Sequence, residues 1–534
     1  MNAKKFVNLS KFLLAGALVL GMTACSSDDE VANGGTDNKV NTYLTVSITG
    51  NSLQRTANTG ATTTNGSTAE NTISSLKVIL VKSGIVANTF DVAGTSLITT
   101  SETGNTVETA GKETKPIKVA TGTYRVYVIA NPSNKFSVSL SMTEDQLRKI
   151  ISSQLATSDY ATDNNFLMTN ATNYKDDNTE AKLVTVNAQN TENNPAKTEA
   201  IHLDRLAAKI LISNTTYSFN KVAGSDFSLI HYTTGGARAD QQIDINLVNY
   251  SLINTYNKAN LYQQWDGAST DGFKEELLTP NYSSSYDYFA NATTDFGNQK
   301  DVFSTRTAAA ANTIAGFSEL TDIKNVSTGL TTASYCLENN PYNTIVNGTK
   351  YTKYDTQVTG VLFKAQAVQH GTTTSQTFYS YNGKYYLELA DIQKEYPEVF
   401  AKYFNGTGVV SSAQTTLTGQ LSEATSVTPT TSLRVKYGVK VYDNGNMYYT
   451  YYIKDKNYLE TQGTGSDNYY AIMRNSIYSL TVNNLLRIGD DIPFGWTSNP
   501  IAGTQYPIDS DEAYMTVELA VNQWVLNAYP IDLK

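Results

Sequence analysis

The chain has 534 residues, too many for a single core at roughly 150 residues per domain, so two to four domains are expected. Hydrophobic residues make up 40% and charged residues 17% of it, which excludes a disordered chain. A net charge of -9 gives no long-range pull toward polyanions, and no nucleic-acid partner is expected.

At the N-terminus, Lys4, Lys5 and Lys11 precede the apolar run Phe12 to Gly21 and then Met22-Thr23-Ala24-Cys25. A cationic flank, a short apolar core and small residues before a cleavage point are the parts of an export signal, and the run is too short to span a bilayer. It resembles a bacterial lipoprotein signal with Cys25 as the acylated residue, although Met22 stands where such signals usually carry Leu. An ordinary secretory signal with an idle Cys25 is the alternative. Residues 26–38 are small and polar, as a flexible tether is. The other cysteine is Cys336, so an acylated Cys25 leaves no intramolecular disulfide.

The 36 tyrosines, against 17 Phe and 3 Trp, suit pleated, half-buried surfaces. Tyr43 to Thr49 alternates, with Leu44, Val46 and Ile48 on one face and hydroxyls on the other, which predicts a strand with one buried face. The Thr-, Asn- and Gly-rich stretch that follows, to about Asn71, reads as a long exposed loop. Strands are predicted at Leu76 to Val81, Tyr124 to Ala130 and Leu206 to Ile212, and a helix over Thr143 to Ile151. In that helix Thr143 and Gln146 have capping-box spacing, and Leu147, Ile150 and Ile151 share a face.

Further on, Asn382-Gly383 and Asp443-Asn444-Gly445 each lie between Tyr-rich runs and predict tight hairpins. Asp391 to Phe404 predicts short helical turns interrupted by Pro397. Met515, Val517, Leu519 and Val521 alternate with polar or small residues in an amphipathic strand. Its phase shifts near Asn522-Gln523, which predicts a bulge or bend before Trp524. The expected fold is mainly β: two tandem β-sandwich domains of transthyretin-like or Greek-key type with a few short helices, residues 56–215 and 216–513.

Catalytic chemistry is not visible. His202, His231 and His370 are far apart and lack metal-ligand spacing, and no C-x-x-C, Walker loop or G-x-S-x-G occurs. Asp509, Asp511 and Glu512 lack the pattern of a calcium loop. Cys336 reads as a small core residue. No catalytic residue, metal or cofactor is expected. The tyrosines could line a sugar-binding face, or equally pack across strands.

Several stretches together resemble the Bacteroidetes fimbrial shaft pilins of the short-fimbriae major subunit family (type V pili, FimA-like and Mfa1-like): Tyr43 to Ile48 with Arg55, Asp204 to Ile210, Tyr335 to Asn339, Met473 to Tyr478, and Tyr514 to Leu519 with Trp524. The resemblance implies a precursor exported as an outer-membrane lipoprotein, residues 1–25 being the signal peptide. A surface arginine-specific protease would cut it between Arg55 and Thr56, removing residues 26–55, tether and first strand. Arg238 is a rival site, but cutting there would remove a whole domain. Polymerisation by strand exchange would follow: Leu44, Val46 and Ile48 leave, and Met515, Val517, Leu519, Val521 and Trp524 of the 514–534 segment of a neighbour enter.

Losing the first strand strips three apolar side chains from the core at roughly 1.5–3 kcal/mol each and leaves raw sheet edges, which another strand can fill. Because donor and acceptor sit at opposite ends of the chain, the contact is heterologous and generates a filament. The expected partners are copies of the chain, the protease, anchor and tip subunits, the outer membrane through the lipid, and host or bacterial surface ligands. The alternatives are a fimbrial tip or accessory pilin and a surface glycan-binding lipoprotein.

Overall fold

The computed structural model describes residues between 41 and 525. The main stretches left out of the description are 1–40, 51–62, 101–110, 174–177, 215–218, 267–275, 279–323, 327–331, 352–358, 398–438, 456–469, 492–514 and 526–534, with a few shorter ones.

The chain opens with β1 (Tyr43–Thr45) and β2 (Ser47–Gly50), which are two halves of the predicted first strand, interrupted at Val46. Then come β3 (Thr63–Asn65) and α1 (Thr68–Asn71), followed by the hairpin β4 (Ser75–Lys82) and β5 (Ile85–Ala93). Next are β6 (Leu97–Thr100), β7 (Gly111–Thr114), β8 (Ile117–Lys118) and β9 (Gly122–Ala130). After α2 (Glu144–Arg148) come β10 (Met168–Asn170), β11 (Lys182–Val186), β12 (Ala196–Lys197) and β13 (Ile201–Arg205). Apart from β3, these strands form a nine-stranded sheet in the order β5-β4-β9-β10-β13-β2-β7-β6, with β11 also on β9, and a small sheet β12-β1-β8. Their core holds Leu44, Val46, Ile48, Val78, Leu80, Val126 and Val128, all buried.

At Leu206 the chain crosses to a second sheet system. β14 (Ala207–Asn214) already belongs to it, so the crossover comes earlier than the expected domain end near residue 215. The long strands β15 (Gln241–Ile253), β16 (Ala333–Leu337) and β17 (Gly360–Gln369) follow. Then come β18 (Phe378–Tyr381), β19 (Lys384–Tyr386), α3 (Leu389–Glu395), β20 (Lys440–Tyr442) and β21 (Asn446–Tyr452). The last two described strands are β22 (Ser476–Leu485) and β23 (Met515–Val525). One sheet runs β16-β14-β22-β23-β3, a second contains β15-β17-β21, and β19-β18-β20 form a third. Side chains of the first two interleave in one core, including Ile210, Ile212, Leu480 and Val482 with Ile245, Phe363 and Met447. Two packed sheets of this kind are a sandwich.

Several local signals hold. Thr143 caps α2, accepting from the Gln146 N–H at 3.2 Å while Gln146 Oε1 accepts from the Thr143 N–H at 2.9 Å. The helix stops at Arg148, so Ile150 is buried but Ile151 is exposed. Asn382 and Gly383 take φ of 48° and 75° and join β18 to β19 as a hairpin, as a two-residue turn of that chemistry should.

The second turn differs. β20 pairs with β18, and β21 pairs with β17, so Asp443–Gly445 carries the chain between sheets rather than closing a hairpin. Side-chain packing explains why: Tyr442 stacks on Phe378 with ring centroids 4.2 Å apart, and Thr377 Oγ1 accepts from the Asn444 N–H at 2.8 Å. The tyrosines around these turns are largely interior, Tyr386, Tyr442, Tyr449 and Tyr452 being buried. Cross-strand packing therefore accounts for these four.

The loop expected up to Asn71 is also corrected. Within it β3 adds to the second sheet and α1 buries Glu70. The small residues hide a capping box, in which Ser67 and Glu70 cap each other at 2.7 and 3.3 Å.

The two turns can be told apart by substitution. Gly383 has positive φ and open space around it, whereas a Cβ on Gly445 would run into the Ala367 carbonyl. Gly383→Ala should cost about 1 kcal/mol and Gly445→Ala about 3 kcal/mol in denaturant unfolding. Equal costs would mean that the 443–445 turn is not seated on β17.

Candidate strand-exchange site

The first strand is an interior strand. β1 pairs in parallel with β12 (Leu44 opposite Ala196) and antiparallel with β8 (Leu44 opposite Ile117). β2 likewise pairs in parallel with β13 (Ile48 opposite Ile201) and antiparallel with β7 (Ile48 opposite Lys112). Where the ladder breaks at Val46, side-chain hydroxyls take over: Thr114 Oγ1 accepts from the Val46 N–H at 3.0 Å, and Thr198 Oγ1 accepts from the Ser47 N–H at 2.9 Å.

Leu44, Val46 and Ile48 are each at most 1% exposed, as the alternation predicts. The hydroxyl face is not solvated, however. Thr45 and Thr49 are buried too, and the Thr45 hydroxyl makes no hydrogen bond. A buried hydroxyl without a partner costs about 1–3 kcal/mol.

The C-terminal strand β23 is paired along its length, with neighbours on both sides only at Gln523. Met515 to Gln523 pair antiparallel with β22, placing Val517, Leu519 and Val521 opposite Val482, Leu480 and Tyr478; these three β22 residues are fully buried. Gln523, Trp524 and Val525 pair in parallel with β3. The strand is continuous through Asn522-Gln523. The register shift falls instead on its partner, between Val482 and Asn484. β23 thus has an antiparallel neighbour over Met515 to Gln523 and a parallel one over its last three residues.

Between these two strands lies a buried polar junction built from the stretches that carry the resemblance. Arg205 and Arg474, each 1% exposed, are among the largest fully buried side chains. The Arg205 Nη1 donates to Asn475 Oδ1 at 3.1 Å, its Nε to the Glu70 carbonyl at 3.2 Å and its Nη2 to Asn71 Oδ1. Asn475, at φ 55°, donates from Nδ2 to Asp204 at 2.7 Å and from its N–H to the Ala207 carbonyl at 2.8 Å. Asn is a side chain that tolerates that left-handed region. The next residue back, Arg474, makes a two-pronged ion pair with Glu338, its Nε 2.8 Å from Oε2. It also holds the Asn260 and Leu261 carbonyls at 2.7 and 3.0 Å.

Glu70 completes the junction, accepting from Lys209 Nζ at 2.7 Å and from the Tyr335 hydroxyl at 2.7 Å. Burial alone would raise its carboxyl. The hydrogen bonds from Lys209, Tyr335 and the Ser67 N–H outweigh that and hold it below the ordinary 4.5. Burial pulls the Arg205 guanidinium down to about 9, which leaves it charged at neutral pH.

The other singled-out residues are placed as follows. Cys25, Arg55 and Thr56, like Asp509, Asp511 and Glu512, lie outside the described residues. Arg238 sits in an ordered turn, bridged to Tyr232 and doubly bonded to Asp240 at 2.7 Å. Cys336 is fully buried, and burial pushes its thiol up to about 12. His231 and His370 each face one carboxylate, Asp391 at 3.2 Å and Asp244 at 2.6 Å. Among the described residues no three His, Cys, Asp or Glu side chains gather to hold a metal.

Two family models match the chain. That of the major fimbrial subunit protein FimA covers residues 42–205, and that of the C-terminal region of fimbrillin, the type IV major fimbrial subunit protein, covers residues 440–530. No curated protein matches. Among solved structures the chain is similar to a candidate cell adhesion protein of Parabacteroides distasonis at 11% identity, covering 90% of this chain and 99% of that one with TM-score 0.45. It is similar to the fimbrilin FimA of Porphyromonas gingivalis at 12% identity, covering 92% and 100% with TM-score 0.40. The tip fimbrial protein Mfa3 of Porphyromonas gingivalis follows at 9% identity, covering 90% and 99% with TM-score 0.33.

The slot predicts opposite effects from neighbouring substitutions. Val46→Ala should destabilise by about 2–3 kcal/mol, while Thr45→Val should stabilise by about 1 kcal/mol, both measured by denaturant unfolding of the uncut chain. The junction predicts a pH dependence. Because the folded Glu70 carboxyl lies below its ordinary 4.5, its contribution is complete above that pH and is lost as pH falls through the lower folded value. Glu70→Gln should flatten that acid limb of the stability curve and lower stability at pH 7.

Proposed function

We propose that this chain, a fimbrial subunit with a FimA region and a fimbrillin C-terminal region, builds the shaft of an adhesive cell-surface fimbrium by donor-strand exchange. In this reading the precursor is an outer-membrane lipoprotein acylated at Cys25. An arginine-specific surface protease cuts between Arg55 and Thr56, the segment carrying β1 and β2 departs, and β23 of a neighbouring copy enters the gap. The chain does no catalysis; its partners are other copies of itself, with anchor and tip subunits at the ends and host or bacterial surfaces as adhesion ligands.

The observation that carries this reading is the interior position of β1 and β2. Removing an edge strand exposes one row of backbone groups, whereas removing this strand leaves β12 and β13 facing β8 and β7 across an open slot. Unpaired backbone on both walls, together with the vacated apolar pockets of Leu44, Val46 and Ile48, is a strong template for a new strand. β23 already forms a long ladder, nine of its residues lying antiparallel to β22, so its backbone is shaped to enter a sheet. It spans eleven residues and can bury more than the short β1 and β2. The resident strand also carries the unpartnered Thr45 hydroxyl, and a donor without such a group gains by replacing it. Arg238 is disfavoured as the cut site by its ordered turn and its pairing with Asp240.

Treating purified lipid-free precursor with an arginine-specific protease should give ladders on unboiled SDS gels. A variant lacking residues 515–534 should be cut but fail to polymerise by itself. Persistent monomers after clean cleavage at Arg55, or ladders from the truncated chain, would overturn the assignment.

A further inference from the structure

Both walls around the first strand break at the same level. On one side β7 ends at Thr114 and β8 begins at Ile117. Between them Lys115 turns its N–H to the Ser96 carbonyl at 3.1 Å, and Pro116 has none to give. On the other side Thr198, Glu199 and Ala200 separate β12 from β13. One threonine on each wall spans the gap. The Thr114 N–H donates to the Val46 carbonyl at 3.0 Å, while Thr114 Oγ1 accepts from the Val46 N–H at 3.0 Å. The Thr198 N–H donates to the Thr45 carbonyl at 3.2 Å, while Thr198 Oγ1 accepts from the Ser47 N–H at 2.9 Å. Each threonine presents what a wall strand would, an N–H and an oxygen, but the oxygen belongs to a side chain. Both residues are buried.

We propose that Thr114 and Thr198 are positioning residues of the acceptor, gripping the middle of a second copy's β23 as they now grip residues 45–47. This rests on the strand-exchange reading and adds to it the wall residues that hold the donor. Departure of the resident strand takes the hydrogen-bond donor from both hydroxyls at once, and a buried oxygen without a partner is costly. An extended strand sends the N–H groups of successive residues to opposite sides, so an incoming strand restores both bonds whatever its side chains are. The apolar pockets select the donor by shape, and the paired strands hold it backbone to backbone. The two hydroxyls differ from both, because each is a hydrogen bond of the slot that one side-chain substitution removes with the backbone left intact.

The test uses full-length chains and separates the two roles. Labelled, uncut Arg55→Ala chains donate but do not accept, and cut chains accept them. Thr114→Val and Thr198→Val keep the side-chain volume and lose the oxygen. Cut acceptors carrying them should shed captured label from SDS-resistant ladders about fivefold faster for one substitution and about thirtyfold faster for both. Thr114→Ser with Thr198→Ser should return release close to the wild-type rate. The valine pair placed in the labelled donor should leave its transfer to wild-type acceptors unchanged, which a general loss of fold would not. Release at the wild-type rate from both single-valine acceptors would overturn the assignment. So would serine acceptors that release as fast as valine ones, or valine donors that transfer as poorly as valine acceptors hold. If the cut wild-type chain captures no labelled donor, strand exchange falls and this grip with it.

Discussion

An interior strand cannot leave a sheet without exposing two rows of hydrogen-bonding groups, and the first strand of this chain is interior on both sides. Everything proposed for the molecule depends on that constraint. An edge strand could be lost and the sheet would close over. Losing β1 and β2 would instead separate β6, β7 and β8 from β12 and β13 and open the pockets of Leu44, Val46 and Ile48 between them. Unsatisfied buried backbone is costly, so a subunit cut as proposed would be unstable relative to one whose slot is refilled. The apolar pockets determine what can refill it.

The second constraint is the buried junction of Arg205, Asn475, Glu70, Arg474 and Glu338. Burying such pairs gains little net stability, but removing one partner strands the other and costs about 3–5 kcal/mol. Such a network is suited to fixing geometry. Here it fixes how β13, which walls the slot, continues through Leu206 into β14, and how β14 meets β22, on which β23 rests. In the proposed exchange, donor and acceptor slot are thereby joined through one continuous run of paired strands within each subunit. That is what a filament needs if each subunit is to pass its orientation to the next.

Much of this was legible in the sequence where one local rule acts alone. The Leu44, Val46, Ile48 alternation marks the buried strand, Thr143 with Gln146 marks a helix start, and Asn382-Gly383 marks a hairpin. The reading failed where tertiary packing overrides the local signal. Thr45 and Thr49 look solvent-facing because hydroxyls usually are, yet tertiary packing buries both. Asp443-Asn444-Gly445 has hairpin chemistry, but the stacking of Tyr442 on Phe378 draws its flanks into different sheets. The β3 residues are short and polar and carry no strand pattern of their own; only β23 gives them one. Arg205 and Arg474 stood in stretches that matched a family, yet charged side chains are rarely interior, and nothing local shows that both are. The Ser67 to Glu70 spacing was a readable cap signal in a segment taken for a loop.

The most direct measurement is the structure of the native filament, read at the slot between Ile201–Arg205 and Gly111–Thr114. Strand exchange predicts that the segment lying there is residues 515–525 of a neighbouring copy, with the neighbour's own β22 left without it. Finding each subunit's own Ser47–Gly50 still seated in that slot, and its β23 still on its own β22, would contradict it.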